Sequence, residues 1–475
     1  MFFQKIRIIS VHFPTLGLIR YRMEKFDEIR KVHFIGIGGV SVSALATLCL
    51  KRGIIVTGSD REYSERMLNL SLSGCEVWVG SEPERIVGVD LVVYSGAVKR
   101  NDPEYAYCVE RGIKVMERSA FLSLVASYFK CVIAVAGTHG KTTVTSLIAK
   151  ILIEANLPCC CHIGGDAVGI GNMHYSGDEY FLTEACEYRK SLLFLDPDIG
   201  IVLNAEYDHP DTYRDLSEVY DTFDTYLSRS RSKGLSLVCG DEKYYALRQS
   251  INENMTFGKT EKNRFRAEKI REYRKGYYEF EVTDYGNPLF TVRLPIPGIH
   301  NINNALCAIA VGVILRIPFE AIKSAVKNFG GVGRRFEKTS VYFGATVYSD
   351  YAHHPDEIKA SIATAKEILK ENKRLVCVFQ PHTFSRTAKL FDEFATCFDV
   401  DEIIILKEYP ARETPADGKS ALELYRALPN TNKRYYDNII DVAAYITNSV
   451  RPDDIVLILG AGDIDNLTYL LGKEK

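Results

Sequence analysis

The residues best suited to chemistry lie in the segment Gly137–Thr143, which reads GTHGKTT. A loop of the form G-x-x-x-x-G-K-[ST] cradles nucleotide phosphates with backbone N–H groups, while its lysine reaches the outer phosphates and its hydroxyl binds Mg²⁺. Gly140, Lys141 and Thr142 match the end of that pattern, but Val135 occupies the position of the first glycine. The segment therefore predicts a variant phosphate loop.

Two side chains further along could complete a metal site beside this loop. Glu184 lies at the end of a strand predicted over residues 180–185, and His209 lies just past the end of another, predicted over residues 199–206. Ligands of open parallel sheets collect at the carboxyl ends of the strands, so both side chains could reach a metal held by Thr142. The alternative for each one taken singly is an ordinary solvated or capping side chain.

A second glycine loop lies near the start of the chain. Gly36, Gly38 and Gly39 follow a predicted strand, and Asp60 ends the next one, as in nicotinamide-dinucleotide sites. The sixth position of that pattern holds Ser41 instead of glycine or alanine, so the match alone is weak. A dehydrogenase would also leave the GTHGKTT loop unexplained. We expect this first loop to bind the pyrophosphate of a different nucleotide.

The hydrophobic pattern supplies the elements that must position these loops. A strand, a glycine turn, a helix and a strand follow one another from Lys31 to Asp60, which is a β-α-β unit. From Val144 to Ala155, apolar residues recur at intervals of three and four, so one face of a helix packs on a sheet. The alternation restarts after Arg335. The pattern predicts an α/β protein built from several such units.

We expect domain boundaries near Tyr128 and Gly331. The domains are then residues 27–128, 129–330 and 331–475, preceded by an extension at 1–26. Residues 1–22 lack a sustained apolar core and a small-residue cleavage site. We interpret them as an extension that could lie upstream of a true start at Met23.

Composition narrows the class of protein. The chain has 475 residues, 46% of them hydrophobic, which is enough for two or three cores because a single core stops growing near ~250–300 residues. Its formal net charge of −2 gives no sign of a nucleic-acid partner. The twelve cysteines include no Cys-x-x-Cys pair, which favours reduced thiols in a cytoplasmic protein. No apolar run approaches the ~18 residues of a membrane helix.

Nine motifs in order make the chain resemble the Mur ligases of peptidoglycan precursor synthesis. They are HFIGIGG (33–39), GTHGKTT (137–143), EACE (184–187), NAEYDHPDTY (204–213), PGIHNINNA (297–305), GVGRRFE (331–337), DYAHHP (350–355), FQPHTFSRT (379–387) and LGAGDI (459–464). The family's own loop has the form G-T-[NHK]-G-K-T-[ST], which explains why this chain lacks the first glycine of the general pattern. The resemblance implies a Rossmann-like N-terminal domain for the UDP sugar, a central P-loop-type domain for ATP, and a Rossmann-like C-terminal domain for the amino acid.

Site residues follow from the resemblance, motif by motif. It implies that ATP is bound by Gly137, Thr138, His139, Gly140, Lys141, Thr142, Thr143, His300, Asn301, Asn304, Arg335 and Asp350. The UDP sugar would contact Gly36, Gly38, Gly39, Ser59, Asp60 and Ser95, and the amino acid would contact Tyr351, His353 and Arg386. Lys141, Glu184 and His209 would carry the chemistry. Thr142 and Glu184 would ligate one metal ion, and His209 a second.

The implied reaction is ATP-dependent ligation of L-alanine to the carboxylate of UDP-N-acetylmuramate through an acyl phosphate, giving ADP and phosphate. It would use Mg²⁺, with Mn²⁺ as a possible substitute. The expected partners are these small molecules, with no nucleic acid and no membrane span, in a cytoplasmic monomer or homodimer. Alternatives are a ligase that adds a recycled peptide, glycine or serine to the same nucleotide, a catalytically silent nucleotide-binding partner of a related enzyme, and a dinucleotide oxidoreductase.

Departures from the family pattern bear on specificity. Val40 and Ser41 stand where many relatives carry Ala-Gly; Cys186, Tyr188 and Arg189 depart from the sequence D-E-S-D; and Thr383 stands where many relatives place an arginine. The last change weakens the assignment of alanine, because a hydroxyl does not replace a bidentate arginine. His353 and His354 have a simpler alternative, which is to cap the helix that begins near Asp356.

Overall fold

The computed structural model describes residues 25–209, 212–247, 255–411 and 413–473. Three sheets, of five, ten and six strands, follow one another along the chain. This confirms the predicted α/β fold of three domains. The interpretation of residues 1–22, with a start at Met23, lies outside the described residues. Phe26, which was assigned to the extension, is buried in the first domain and packs edge-on against Phe121 with ring centroids 6.0 Å apart.

The N-terminal domain has a parallel five-stranded sheet in the order β3-β2-β1-β4-β5. Its strands are β1 (Lys31–Ile35), β2 (Ile55–Asp60), β3 (Glu76–Val79), β4 (Leu91–Tyr94) and β5 (Val115–Glu117), and its helices are α1 (Val40–Lys51), α2 (Glu65–Leu72), α3 (Pro103–Glu110) and α4 (Arg118–Ala126). The strand order reverses between β1 and β4. Loops that leave such a reversal open a crevice for a ligand, and here those loops begin at Gly36 and Ser95.

The central domain contains the ten-stranded sheet, in the order β15-β14-β13-β12-β11-β10-β6-β9-β7-β8. Its strands are β6 (Cys131–Ala136), β7 (Cys159–Ala167), β8 (Gly171–Tyr175), β9 (Tyr180–Glu184), β10 (Ile199–Val202), β11 (Leu235–Cys239), β12 (Met255–Gly258), β13 (Phe265–Arg274), β14 (Tyr277–Asp284) and β15 (Asn287–Arg293). Its helices are α5 (Lys141–Glu154), α6 (Leu216–Lys233), α7 (Lys243–Leu247), α8 (Asn301–Ile314) and α9 (Phe319–Lys327).

Helix α5 packs on this sheet with the predicted apolar face. Val144, Leu147, Ile148 and Ile151 are at most 2% exposed, so the helix that follows the phosphate loop is fixed by the core. The expectation of a strand through residues 199–206 is wrong at its end, because β10 stops at Val202.

The C-terminal domain has a six-stranded sheet in the order β16-β17-β21-β18-β19-β20, parallel except for β16. Its strands are β16 (Glu337–Tyr342), β17 (Ala345–Asp350), β18 (Leu375–Phe379), β19 (Glu402–Leu406), β20 (Lys433–Tyr436) and β21 (Ile455–Leu459). Its helices are α10 (Pro355–Ile368), α11 (Phe384–Lys389), α12 (Phe391–Thr396), α13 (Ala421–Ala427), α14 (Ile439–Ser449) and α15 (Asn466–Leu470). All twelve cysteines lie in described residues and carry free thiols, most of them buried.

Candidate active site

The phosphate loop joins strand β6 to helix α5. Gly137 and Gly140 have φ angles of +143° and +82°, which side chains rarely adopt. A Cβ atom added to Gly140 would lie 2.7 Å from Asn304 Oδ1. Asn204 clamps the loop, since its Oδ1 accepts the N–H of His139 at 2.8 Å and its Nδ2 donates to the carbonyl oxygen of His139 at 3.1 Å.

Lys141 lies beneath this loop in a network that the sequence only partly revealed. Its ammonium group donates to the carbonyl oxygens of Gly137 and Thr138, at 2.5 and 3.0 Å, and lies 2.9 Å from the buried carboxylate of Glu187. Glu187 also lies 3.4 Å from His209 Nε2. Burial raises the pKa of Glu187, but Lys141 and His209 outweigh it, so its pKa is below the ordinary value.

Thr142 and Glu184 converge on two adjacent glycines of β7. A Cβ atom on Gly164 would lie 2.6 Å from both carboxylate oxygens of Glu184, and a Cβ atom on Gly165 would lie 3.0 Å from Thr142 Cγ2. The Gly164 N–H donates to Glu184 Oε1 at 2.8 Å. The glycines therefore leave room for the carboxylate of Glu184 and for the side chain of Thr142, whose methyl group faces Gly165. The carboxylate and hydroxyl oxygens of these two side chains are hard donors of the kind that Mg²⁺ takes.

Among the described residues no group of three or more His, Cys, Asp and Glu side chains could hold a metal ion.

His139 joins the phosphate loop to the C-terminal domain. Its two ring nitrogens lie 3.0 Å from Glu206 of the central domain and 3.0 Å from Glu357 on α10. Burial lowers the pKa of His139, but the two carboxylates outweigh it and raise the pKa to about 10. The imidazolium is therefore a charged bridge between two domains at neutral pH.

A cleft of about 680 Å³ opens between the central and C-terminal domains. The predicted ATP residues that line it are His139, Gly140, Thr142, Thr143, His300, Asn301, Asn304, Arg335 and Asp350. Gly137, Thr138 and Lys141 lie outside this lining, in the adjoining loop. Burial lowers the pKa of His300 to about 4, so its imidazole is neutral.

Asp350 ends β17 at the C-terminal side of this cleft. It accepts a hydrogen bond of 2.5 Å from the hydroxyl of Ser361. Burial raises the pKa of Asp350 to about 6, in spite of Ser361 and the nearby guanidinium of Arg335. The Asp350 side chain is partly exposed to the cleft, where it can accept a hydrogen bond from a ligand.

The three residues predicted for the amino acid lie just past the carboxyl ends of β17 and β18 in the C-terminal sheet. The rings of Tyr351 and His353 meet edge-on, with centroids 5.3 Å apart, and His353 Nδ1 lies 2.9 Å from the carbonyl oxygen of Tyr351. The guanidinium of Arg386 lies 3.8 Å from Asp208 Oδ1 and 3.4 Å from His382 Nδ1. His382 was missed from the predicted set although it lies in the same motif.

His354 caps a helix, which is the simpler role that its sequence pattern predicts. It is the N-cap of α10, with its ring nitrogen accepting the N–H of Asp356 at 3.4 Å while Glu357 accepts the N–H of His354 at 3.2 Å. Thr383 precedes α11 with a φ angle of +68°, a conformation that strains a β-branched residue.

A second cavity, of about 600 Å³, lies at the strand reversal of the N-terminal domain. Five predicted residues line it: Gly36, Gly39, Ser59, Asp60 and Ser95. Gly38 does not line it, but its N–H donates to Asp60 Oδ2 at 2.8 Å. The N-terminus of α1 opens onto this cavity, as a pyrophosphate site requires.

A buried carboxylate beneath this cavity escaped the sequence interpretation. Glu104 is 1% exposed and accepts hydrogen bonds from Trp78 Nε1 and the N–H of Glu82, both at 2.9 Å, and from the hydroxyl of Ser59. His33 Nε2 lies 3.4 Å away. Burial raises the pKa of Glu104, yet these donors and His33 bring it below the ordinary value.

Three family models match the chain in sequence order. They are the Mur ligase family catalytic domain at residues 31–130, the Mur ligase middle domain at 135–312 and the Mur ligase glutamate ligase domain at 334–462. Together they cover each of the three sheets.

Curated proteins are similar over nearly the whole chain. UDP-N-acetylmuramate--L-alanine ligases of Clostridium beijerinckii and Clostridium kluyveri are each 40% identical to it over 449 residues, which is 92% of this chain and 96% or 97% of theirs. Among solved structures, the UDP-N-acetylmuramate-alanine ligase of Thermotoga maritima superposes with a TM-score of 0.78 at 27% identity, over 92% of this chain and 97% of the other.

A murein peptide ligase from Psychrobacter arcticus shares the fold, with a TM-score of 0.73 at 24% identity over 94% of this chain and 99% of the other. The order of the three sheets, the phosphate loop with its two glycines and these extended similarities agree with one another. The chain belongs to the Mur ligase family.

Proposed function

We propose that the chain ligates L-alanine to the carboxylate of UDP-N-acetylmuramate, with cleavage of ATP to ADP and phosphate. The observation that carries this proposal is the junction at the phosphate loop, where His139 pairs with Glu357 and Asp208 lies beside Arg386. The relatives at 40% identity bear the name of this activity.

The chemistry requires the carboxylate to be activated. A carboxylate does not accept an amine at neutral pH, so the γ-phosphoryl group of ATP is first transferred to it, and the amine then attacks the acyl phosphate. Lys141 is held at the loop by three oxygens, with a pKa that Glu187 raises against the effect of burial. Its ammonium group stays charged and stabilises the transferring phosphoryl group.

The metal site is part of the proposal. Thr142 and Glu184 would hold a Mg²⁺ ion, which Mn²⁺ can replace, and His209 would contribute to a second metal position. Bound metal neutralises charge on the phosphates. His209 has a φ angle of +54° and lies between Asp208 and Glu187, so its imidazole is fixed by acidic neighbours.

The amino-acid pocket belongs to the C-terminal domain. Arg386 would bind the carboxylate of L-alanine, and the rings of Tyr351 and His353 would enclose its small side chain. The amine must be neutral to attack. Closure of this domain on the phosphate loop keeps water away from the acyl phosphate, and the His139 bridge connects the two surfaces.

Location and assembly follow the same proposal. The substrates include ATP, and the twelve free thiols suit a reducing compartment, so we place the enzyme in the cytoplasm as a monomer or homodimer. No helix among the described residues has the length and apolar character needed to cross a membrane. Light scattering of the purified protein distinguishes the two assembly states.

The test is ATP-dependent phosphate release by the purified protein with UDP-N-acetylmuramate. L-Alanine, glycine, L-serine and a stem tripeptide are compared as acceptors at equal concentration. Stimulation chiefly by L-alanine is expected. Stimulation chiefly by the tripeptide would instead identify a recycling ligase, and no stimulation by any acceptor would contradict the ligase assignment.

A further inference from the structure

The departures at residues 40 and 41 lie at a contact between two domains. Ser41 is the second residue of α1, directly after the glycine loop that opens onto the N-terminal cavity. Its hydroxyl lies 2.9 Å from Nε2 of His162, which belongs to β7 of the central domain. The hydroxyl also accepts a hydrogen bond of 3.1 Å from Arg118. A glycine at residue 41 would have no side chain to make this contact.

His162 continues the contact toward the proposed metal ligand. It is 3% exposed, and its Nδ1 lies 2.9 Å from the hydroxyl of Thr183, the residue before Glu184. Burial, with Arg118 nearby, lowers the pKa of His162 to about 4. A neutral imidazole donates from one nitrogen and accepts at the other, and a hydroxyl does either, so the bridge from Ser41 to Thr183 is satisfied in both tautomers.

The hairpin of β7 and β8 makes a second contact with the same helix end. Asn172 Nδ2 donates to the carbonyl oxygen of Val40 at 2.9 Å and to the hydroxyl of Ser43 at 3.1 Å. On the same hairpin, Gly164 donates to Glu184. One hairpin therefore holds both the first turn of α1 and the carboxylate beside the phosphate loop.

We propose that His162 is a positioning residue for the sugar nucleotide: with Ser41 it fixes the glycine loop at residues 36–41 relative to the strand that ends at Glu184. This inference rests on the proposed function. The nucleotide is bound in the N-terminal domain, whereas its own carboxylate reacts in the central domain. If the glycine loop shifts relative to β9, the carboxylate of the nucleotide is therefore misplaced relative to the phosphoryl group.

Three variants break this bridge at different atoms: Ser41→Ala, His162→Val and Thr183→Val. Each should raise the KM for UDP-N-acetylmuramate about fivefold to tenfold, the effect of one lost hydrogen bond, and change the KM for ATP less than twofold. The double variant of Ser41→Ala and His162→Val should be no worse than His162→Val alone, because the bond that Ser41→Ala removes is already absent from His162→Val.

Replacement by amides tests which nitrogen matters. The amide of His162→Gln reaches the place of Nε2 and should restore most of the affinity, whereas the shorter His162→Asn reaches only the place of Nδ1 and should not. The matched control is Asp178→Ala, which removes the 2.6 Å contact with Arg52 between the same two domains. That variant should leave the KM for the sugar nucleotide unchanged.

Thermal unfolding and hydrogen exchange of the amides at 40–43 accompany the kinetics, so the bridge is tested even without turnover. Faster exchange at 40–43 in Ser41→Ala, with an unchanged unfolding temperature, is expected. The inference is overturned if Ser41→Ala changes neither exchange nor KM, if the two variants add, or if Asp178→Ala has the same effect. A wild-type protein without acceptor-stimulated phosphate release would instead refute the proposed function.

Discussion

His139 of the phosphate loop and Glu357 of the C-terminal domain lie 3.0 Å apart, although 218 residues separate them in the chain. Glu357 also accepts the N–H groups of His353 and His354, at 3.0 and 3.2 Å, through its other oxygen. One carboxylate thus joins the phosphate loop to the motif DYAHHP. We therefore expect this contact to stabilise the closed arrangement of the two domains.

Glu357→Gln tests that dependence. The amide oxygen keeps the two backbone contacts at the start of α10 but lacks the charge that faces His139. We expect kcat for ATP turnover to fall about tenfold or more, as a charge-assisted hydrogen bond is lost. The KM for the sugar nucleotide should stay unchanged. Glu320→Gln, a surface carboxylate paired with Lys323, is the control, and an unchanged kcat in Glu357→Gln would contradict the prediction.

The same bridge predicts a dependence of domain closure on pH. Against the effect of burial, Glu206 and Glu357 together raise the pKa of His139 from 6.5 to about 10. Glu206 belongs to the same domain as His139, so only the part of this rise that Glu357 causes is linked to closure. That stabilisation is present at neutral pH and is lost as the pH rises through about 10. Small-angle scattering of the wild type should show a compact particle at pH 8 that expands toward pH 10. His139→Gln, which cannot be charged, should show no such expansion over that range.

Lys141→Ala should separate the two nucleotide sites. Lys141 and the cavity lined by Gly36 and Asp60 lie in different domains. We expect loss of ATP turnover by at least about 10³-fold, with a nearly unchanged dissociation constant for UDP-N-acetylmuramate, measured by calorimetry. The variant also leaves the carboxylate of Glu187 without its closest cation, so the free energy of unfolding should fall. Loss of binding for both nucleotides would show that the assignment of sites to domains is wrong.

The sequence predicted those parts of the site that local motifs encode, because the glycines and Lys141 act within a few residues of one another. It did not predict Glu187, whose neighbours Cys186 and Tyr188 depart from the family pattern. Its role appears only where β9 and the loop at His209 meet. The strand predicted through 206 failed for a related reason: the amide of Asn204 leaves the sheet to bind the phosphate loop.

Asp350→Asn should lower ATP turnover and raise the stability of the C-terminal domain. Because burial raises the pKa of Asp350 from 3.8 to about 6, the stabilisation by its protonated form is fully present below about pH 3.8 and is lost as the pH rises through about 6. The amide of the variant stays neutral at every pH, so this stabilisation is not lost, and its oxygen can still accept a hydrogen bond from the hydroxyl of Ser361. Above pH 6 we expect a gain on the order of 2 kcal/mol in the free energy of unfolding of the C-terminal domain, together with loss of ATP turnover.

Denaturant titrations at pH 4 and pH 8 check this prediction. The difference between Asp350→Asn and wild type should be small at pH 4 and favour the variant at pH 8. Ser361→Ala, which removes the hydroxyl donor to Asp350, should have the opposite sign at pH 8. A variant that is less stable than wild type at pH 8 would show that the charged carboxylate is stabilised in the fold.

Arg386 is expected to carry the recognition of the amino acid's carboxylate, because Thr383, in the same motif, supplies no charge. Arg386→Ala should raise the KM for L-alanine about 100-fold, and Arg386→Lys about tenfold, since an ammonium group keeps the charge but not the bidentate geometry. The KM for ATP should change little. Lys389→Ala, at the exposed end of the same helix α11, is the control. Equal effects on the KM values for L-alanine and ATP would mean that Arg386 acts through its contact with Asp208 on the phosphate side of the cleft, and not on the amino acid.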